Sequence, residues 1–192
     1  ITRSAYSGTQ RYTSTWMGDN VATWEHLQIA NIQAQRLALS GFSFAGSDIG
    51  GFAEQPNGEL YARWIQLGAF HPFCRTHSSG DHGDQEPWAF DEEITDVVRK
   101  FIEIRYELLP YLYTSFYHYS KDNIPMLKSL VLFDQEDSHT HYRTDEFVCG
   151  NQILICPINE PNSKGRRMYI PRGEWFNFWN KEVISGGKET WV

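Results

Sequence analysis

Phe42-Ser43-Phe44-Ala45-Gly46-Ser47-Asp48-Ile49-Gly50-Gly51-Phe52 is the stretch on which the fold turns. Its first six residues alternate as a short strand does. They run into a Gly-rich turn at Asp48 to Phe52. Helical patterns flank the stretch on both sides. Before it, Trp24, Leu27 and Ile32 fall near helical spacing within Asn20 to Gly41, with Asn20 or Thr23 as the cap and Gly41 as the stop. After it, Gly58 to Gly68 carries Leu60, Tyr61, Trp64, Ile65 and Leu67 as a second helical pattern. A short strand is expected at Ala69 to Arg75, then a polar loop from Thr76 to Glu86. Strand and helix in alternation predict parallel β/α units with polar loops at the carboxyl ends of the strands.

Further on, Asp91 is a helix cap, and Val97, Val98, Phe101, Ile102 and Ile104 form an apolar stripe. Pro110 is expected to break or kink that helix, because proline has no N–H to give; the pattern resumes at Tyr111, Leu112 and Phe116. The texture changes near Asn123. Met126 to Phe133, Glu146 to Val148, Ile153 to Ile158, Arg167 to Ile170 and Trp175 to Trp179 read as short strands between turn residues, the spacing of an antiparallel sheet or sandwich. The expected fold class is α/β: β/α units over residues 1–122 and an antiparallel β-domain over 123–192. Two or three such units do not close a barrel by themselves.

Composition narrows the function. A net charge of −7 makes a polyanion-binding surface unexpected, since phosphate neutralisation needs clustered Lys and Arg. No partner of nucleic acid or membrane is expected, and no apolar run is long enough to span a bilayer. Cys74, Cys149 and Cys156 are an odd set without metal-ligand spacing. The chain opens on Ile1-Thr2-Arg3 without Met, and the expectation is a segment of a longer protein. Aromatic residues make up 15% of the chain, a content that serves either sugar stacking or a thick core.

Three polar clusters follow expected strands: Arg3 to Asp19, Asp48 to Phe52, and Arg75 to His82. The first reads as the rim of a site. Trp16 offers an apolar face on which a sugar ring can stack, and Asp19 follows it by three residues. A carboxylate beside such a face can serve as a proton donor. The plainer reading is a surface turn in which Asp19 or Asn20 caps the next helix. Glycosidases use two carboxyl groups flanking the bond they cleave, and Asp19 with Asp48 are candidates for that pair; Asp48 as a brace for its own loop is the alternative. His77 is either a buried structural histidine or a donor to ligand hydroxyls. His77, Asp81, His82, Asp84 and Glu86 look like ligands but match no recognised metal spacing. No metal and no cofactor is assigned.

Several blocks together resemble glycoside hydrolase family 31, the α-glucosidase and α-xylosidase family. They are Ile1-Thr2-Arg3-Ser4, Gln10-Arg11-Tyr12, Trp16-Met17-Gly18-Asp19-Asn20, Gly46 to Phe52, Phe73-Cys74-Arg75-Thr76-His77, Arg105 to Tyr111, and Tyr169 to Trp175. The resemblance implies a retaining α-glycosidase on a (β/α)8 barrel with β-domains after it. It implies that Asp19 is the general acid/base, and that Arg3 and His77 contact the sugar in subsite −1. Trp16 and Phe52 match aromatic positions lining that pocket, and Asp48 matches a polar position at its base; this demotes the Asp19–Asp48 pair. The family's nucleophile lies in a Trp-x-Asp-Met-Asn motif, which this sequence does not contain. The implied whole is the C-terminal portion of the barrel plus a proximal β-domain, acting on an oligosaccharide or α-glucoside together with the remainder of the parent chain. The competing readings are a non-catalytic carbohydrate-binding or interaction module using Trp16, Phe52, Trp175 and Trp179, and metal-dependent hydrolysis in the loop from His77 to Glu86.

Overall fold

The structure is a computed structural model that describes residues 1–81 and 83–192. Its first part is parallel. Strand β1 (Thr15–Trp16) pairs with β2 (Ala45–Gly46), Thr15 opposite Ala45. After Ser47 the same stretch continues as β3 (Asp48–Ile49), which pairs on its other side with β4 (Arg75–Thr76), Asp48 opposite Arg75. A single parallel bridge between Thr2 and Thr15 extends the row outward. Helix α1 (Trp24–Leu39) crosses from β1 to β2, and α2 (Gly58–Gly68) from β3 to β4. Gly46 makes the row possible: a Cβ there would overlap the Phe73 carbonyl of the neighbouring segment.

Both helices begin on side-chain caps. Thr23 accepts from the His26 N–H, and Asn57 accepts from the Leu60 N–H at 2.8 Å. The cap of α1 therefore falls to Thr23, and Asn20 is left for another task. Leu27, Ala30, Ala34 and Ala38 make a narrow buried stripe on α1. Two amides share that face. Gln35 donates to the Thr144 carbonyl at 2.7 Å and Asn31 to the Asp145 carbonyl at 3.2 Å, which ties α1 to the C-terminal part. Helix α2 is buried on nearly every side, and Trp64 within it is 0% exposed.

Helix α3 (Glu92–Asp122) starts on Asp91, which accepts from the Ile94 N–H at 2.9 Å. It runs unbroken through Pro110, against expectation. Proline removes one N–H and frees the carbonyl four residues back. Here Tyr106 and Pro110 both lie on the exposed face, where water can satisfy that carbonyl. Helix α3 ends at Asn123, in a left-handed conformation with φ 58°. A second apolar stripe on it, Ile102, Tyr106, Leu109, Tyr113 and Phe116, faces outward.

The strand expected at Ala69 to Arg75 shrinks to two residues for a visible reason. Arg105 on α3 donates to the carbonyls of Ala69, His71 and Pro72 at 2.7, 2.8 and 3.0 Å. Those acceptors hold a bend, and Pro72 has no N–H for a ladder. From residue 127 onward all strand pairs are antiparallel. Strands β5 (Leu127–Ser129), β6 (Phe147–Cys149) and β7 (Ile153–Ile155) form one sheet. The run expected to stay extended through Phe133 turns at Ser129 into α4 (Leu130–Phe133). Strand β8 (Arg167–Ile170) pairs with β11 (Lys188–Trp191), and β9 (Glu174–Phe176) with β10 (Val183–Ser185).

One apolar core joins the two parts: Leu27, Trp64, Val98 and Phe101 pack in the same cluster as Leu127, Phe147 and Cys149. Tyr111 of α3 adds a polar link, donating to the Cys149 carbonyl at 2.9 Å while accepting from the N–H groups of Asn151 and Gln152.

Candidate active site

The parallel strands place four side chains side by side at their carboxyl ends. Arg3 follows the Thr2 bridge. Trp16 closes β1, Asp48 opens β3, and His77 follows β4. The guanidinium of Arg3 lies 5.6 Å from the centre of the Trp16 ring and 3.9 Å from the Asp19 carboxylate. Gly18 makes room for it: its φ is +98°, and a Cβ would stand 3.2 Å from Arg3 Nε. The Asp19 side chain is 47% exposed, so solvent or a ligand reaches it. Phe52 and His77 form a tilted ring pair with centres 5.5 Å apart. The N–H of Ser79 bonds the Phe52 carbonyl at 2.9 Å, which holds the loop bearing His77 against the Gly-rich turn.

Asp48 is the hinge of this arrangement. It is 0% exposed. Its Oδ1 accepts from Arg75 Nε at 2.6 Å and its Oδ2 from the Trp16 indole N–H at 2.8 Å. Its backbone carbonyl accepts from the Asn20 side-chain amide at 2.8 Å, and Asn20 Oδ1 accepts from the Phe52 N–H at 2.8 Å. Burial lifts the Asp48 carboxyl above its ordinary value, against the opposing pull of Arg75 and of the Trp16 N–H. Its side chain braces its neighbours through an indole and a guanidinium, a wider reach than the alternative reading of Asp48 as a brace for its own loop.

Arg75 and Asn20 are the residues that residue-level reasoning passed over. Arg75 sits 5.4 Å from the Trp16 ring centre and 5.6 Å from that of Phe73 while it pairs with Asp48. A signal existed, since it is the basic residue at the end of an expected strand. Asn20 was legible only as a cap. Gln85 is a third: it donates to the Gly51 carbonyl at 2.8 Å from the polar loop.

Other candidates fall elsewhere. Trp175 packs against Phe133, and Trp179 against Phe101, with the Lys100 ammonium 4.4 Å from the Trp179 ring. Among the described residues no three His, Cys, Asp or Glu side chains gather as metal ligands; of the loop cluster weighed above, His82 lies outside the described residues. A surface cavity of about 380 Å³ opens between α1 and the segment around Arg166 and is lined by Gln28, Asn31, Asp145 and Arg166. It lacks an aromatic platform. Another, of about 340 Å³, opens beside Arg3 and is lined by Thr2, Ser4, Tyr6, Thr9, Arg11 and Tyr12.

Parallel β/α units with a polar, aromatic-lined cluster at the strand ends, followed by small antiparallel sheets, define an α/β protein with a site at its strand ends and an antiparallel C-terminal part. The barrel and its family follow from comparison with known proteins. The model of the glycosyl hydrolases family 31 TIM-barrel domain matches residues 1–115, and that of the glycosyl hydrolase family 31 C-terminal domain matches residues 123–192. The chain belongs to glycosyl hydrolase family 31. It is 43% identical over 188 residues to alpha-glucosidase 2 of Bacillus thermoamyloliquefaciens, covering 98% of this chain and 24% of that protein. It is 39% identical to neutral alpha-glucosidase AB of Mus musculus, covering all of this chain and 21% of that protein. Its fold superimposes on an ER glucosidase II heterodimeric complex of catalytic subunit and regulatory-subunit binding domain with a TM-score of 0.94 at 31% identity, over 97% of this chain and 20% of the matched one. The chain thus spans about a quarter to a fifth of the length of the relatives it matches.

Proposed function

We propose that this chain is the acid/base-bearing part of a retaining α-glycosidase that removes terminal α-linked glucose, or a related sugar, from oligosaccharides. The observation that carries the reading is the exposed Asp19 carboxylate, 3.9 Å from the Arg3 guanidinium that lies over the Trp16 ring, at the strand ends of a family 31 barrel. In this reading Trp16 and Phe52 line the pocket of subsite −1, whose sugar takes hydrogen bonds from Arg3 and His77, with Asp48 at the base of the pocket. Aromatic walls suit the C–H groups of a sugar ring, and the N–H donors suit its hydroxyl oxygens.

The chemistry takes two displacements. Asp19, protonated, gives its proton to the departing glycosidic oxygen as a second carboxylate attacks the anomeric carbon. Asp19, now ionised, takes a proton from the water that releases the sugar. The attacking carboxylate comes from the remainder of the parent chain, since the Trp-x-Asp-Met-Asn motif is not in this sequence. By itself the 192-residue chain does not turn over. We place the junction of barrel and β-domain at 122/123, where α3 ends on left-handed Asn123, and we take the outward apolar stripe of α3 as a surface that the rest of the parent chain covers.

Hydrolysis of an α-linked glucose disaccharide by the full-length protein, followed by proton NMR, tests the reading. The first-formed glucose is expected as the α-anomer, and the isolated chain is expected to release none. First release of the β-anomer, or turnover by the isolated chain, contradicts it.

A further inference from the structure

We propose that Asp48 is a positioning residue for the acid/base: it holds Trp16 on one side of Asp19 and Asn20 on the other, with Arg75 as its counter-ion. The inference rests on the role proposed above for Asp19.

Asp19 has little of its own to fix it. Among the described residues its carboxylate meets one cation, Arg3, at 3.9 Å, and both side chains are about half exposed or more. The residue before it, Gly18, carries no side chain to anchor. The aim of Asp19 is therefore set by what precedes and follows it, and both lead to one residue. Three positions upstream, the Trp16 indole is bound at its edge by Asp48 Oδ2 and covered on its face by Arg75. One position downstream, the Asn20 amide donates to the Asp48 carbonyl and accepts from Phe52, and the Asn20 carbonyl accepts from the N–H groups of Phe52 and Ala53 at 2.9 Å. The segment from Trp16 to Asn20 is thus pinned at both ends to β3 and the turn after it.

Asp48 is badly placed to do anything else. With 0% exposure its carboxylate is closed to water, and a sugar hydroxyl needs at least the room that a water needs. Both carboxylate oxygens already accept, one from Arg75 and one from Trp16. A buried carboxylate needs such partners to remain ionised. The planar Arg75 guanidinium meets that need with one N–H while it lies over the indole, which an ammonium could not do in the same geometry.

The test uses the full-length protein and compares kcat/KM on an α-glucose disaccharide with kcat/KM on an aryl α-glucoside whose leaving group needs no proton. Asp48→Asn keeps an oxygen for the Trp16 N–H and removes the charge facing Arg75. Displacement of Asp19 by about 1 Å is expected to cost on the order of 10²-fold on the disaccharide. The loss on the aryl glucoside is expected to be roughly tenfold smaller, because the first step there does without the acid. Added azide, a nucleophile that needs no base, is expected to restore part of the aryl glucoside turnover. Trp16→Phe keeps an aromatic ring while it removes the N–H to Asp48 together with one ring of the indole, and is expected to follow the same pattern if Asp48→Asn does not fold. Equal losses on both substrates without an azide response, or no loss at all, would mean that Asp48 acts on the sugar or only on stability, and would overturn the proposal. Asp19→Asn run in parallel separates the two claims. If Asp19→Asn shows the leaving-group pattern and Asp48→Asn does not, positioning alone fails; if neither shows it, the Asp19 role fails and positioning falls with it.

Discussion

Asp48 in the parallel part and Glu146 in the antiparallel part are both 0% exposed carboxylates, and burial lifts both above their ordinary values. Their surroundings differ. Asp48 spends its two oxygens on side chains that line the candidate site, Trp16 and Arg75. Glu146 precedes β6 and accepts twice from the Tyr169 N–H of β8, at 2.9 and 3.1 Å, with Arg166 and Arg143 at 3.4 and 3.6 Å. It staples two strands whose ladders do not meet. A buried carboxylate is therefore not a mark of a site by itself. What distinguishes Asp48 is that both its carboxylate oxygens are held by side chains of the candidate site, whereas Glu146 takes the Tyr169 backbone N–H and two arginines that pair onward with Asp145 and Glu189, away from that site.

The comparison breaks first in the core under β2 and β3. Trp64 is 0% exposed, and its indole N–H donates to Ser47 Oγ at 3.1 Å, in the residue between the two strands. Trp64→Ala is expected to cost about 3–5 kcal/mol, the range for removing a large buried ring. Urea denaturation of the 192-residue chain measures it. A cost near that of a surface substitution would mean that the parallel part draws its stability from the antiparallel part and not from its own core.

The pH dependence of stability sharpens the comparison on the other side. Burial, with help from Asp145, pushes Glu146 from 4.5 to about 7 in the folded chain. The folded state keeps a proton that the unfolded state releases, so this contribution falls as pH rises from about 4.5 to about 7 and is level above. His71 works with the opposite sign. It is buried with both ring nitrogens unpartnered among the described residues, and burial, aided by Arg105, drives it down to about 3. The unfolded state then takes up the proton first, so its contribution is lost as pH falls from 6.5 towards 3. Glu146→Gln keeps an acceptor for Tyr169 and cannot ionise. Relative to the parent chain it is expected to gain about 3 kcal/mol between pH 4.5 and 7.5, from 1.36 kcal/mol per pK unit. The slope due to His71 remains. A stability difference that does not change with pH would mean that the arginines hold Glu146 ionised in the folded chain.

Much of the fold was legible because helical signals are local. The cap at Asp91 and the full extent of α2, Gly58 to Gly68, follow from residues within a few positions of one another. Strands were harder. Phe42 to Ser47 carries the alternation of a strand, yet only Ala45–Gly46 pairs, because the extent of a parallel strand depends on its neighbours and not on its own sequence. The bend at His71-Pro72 depends on Arg105, more than thirty residues away in the chain. Strands β10 and β11 passed unread, since each is mostly exposed and has little apolar alternation. At the site, Arg3, Trp16, Asp19, Phe52 and His77 were readable as a set of types at strand ends. The roles of Arg75 and Asn20 were not, because each is defined by a partner about thirty residues away in the chain, Asp48.

The central claim is that Asp19 gives and takes the proton, and Asp19→Asn in the full-length protein tests it most directly. The substitution keeps the shape and removes both proton roles. On an α-glucose disaccharide kcat/KM is expected to fall by roughly 10²–10⁴, the range for general acid–base catalysis. An aryl α-glucoside with a good leaving group is expected to keep most of its first-step rate, to accumulate glycosyl-enzyme, and to regain turnover when azide is added. Equal losses on both substrates with no effect of azide would make Asp19 a structural residue and contradict the account.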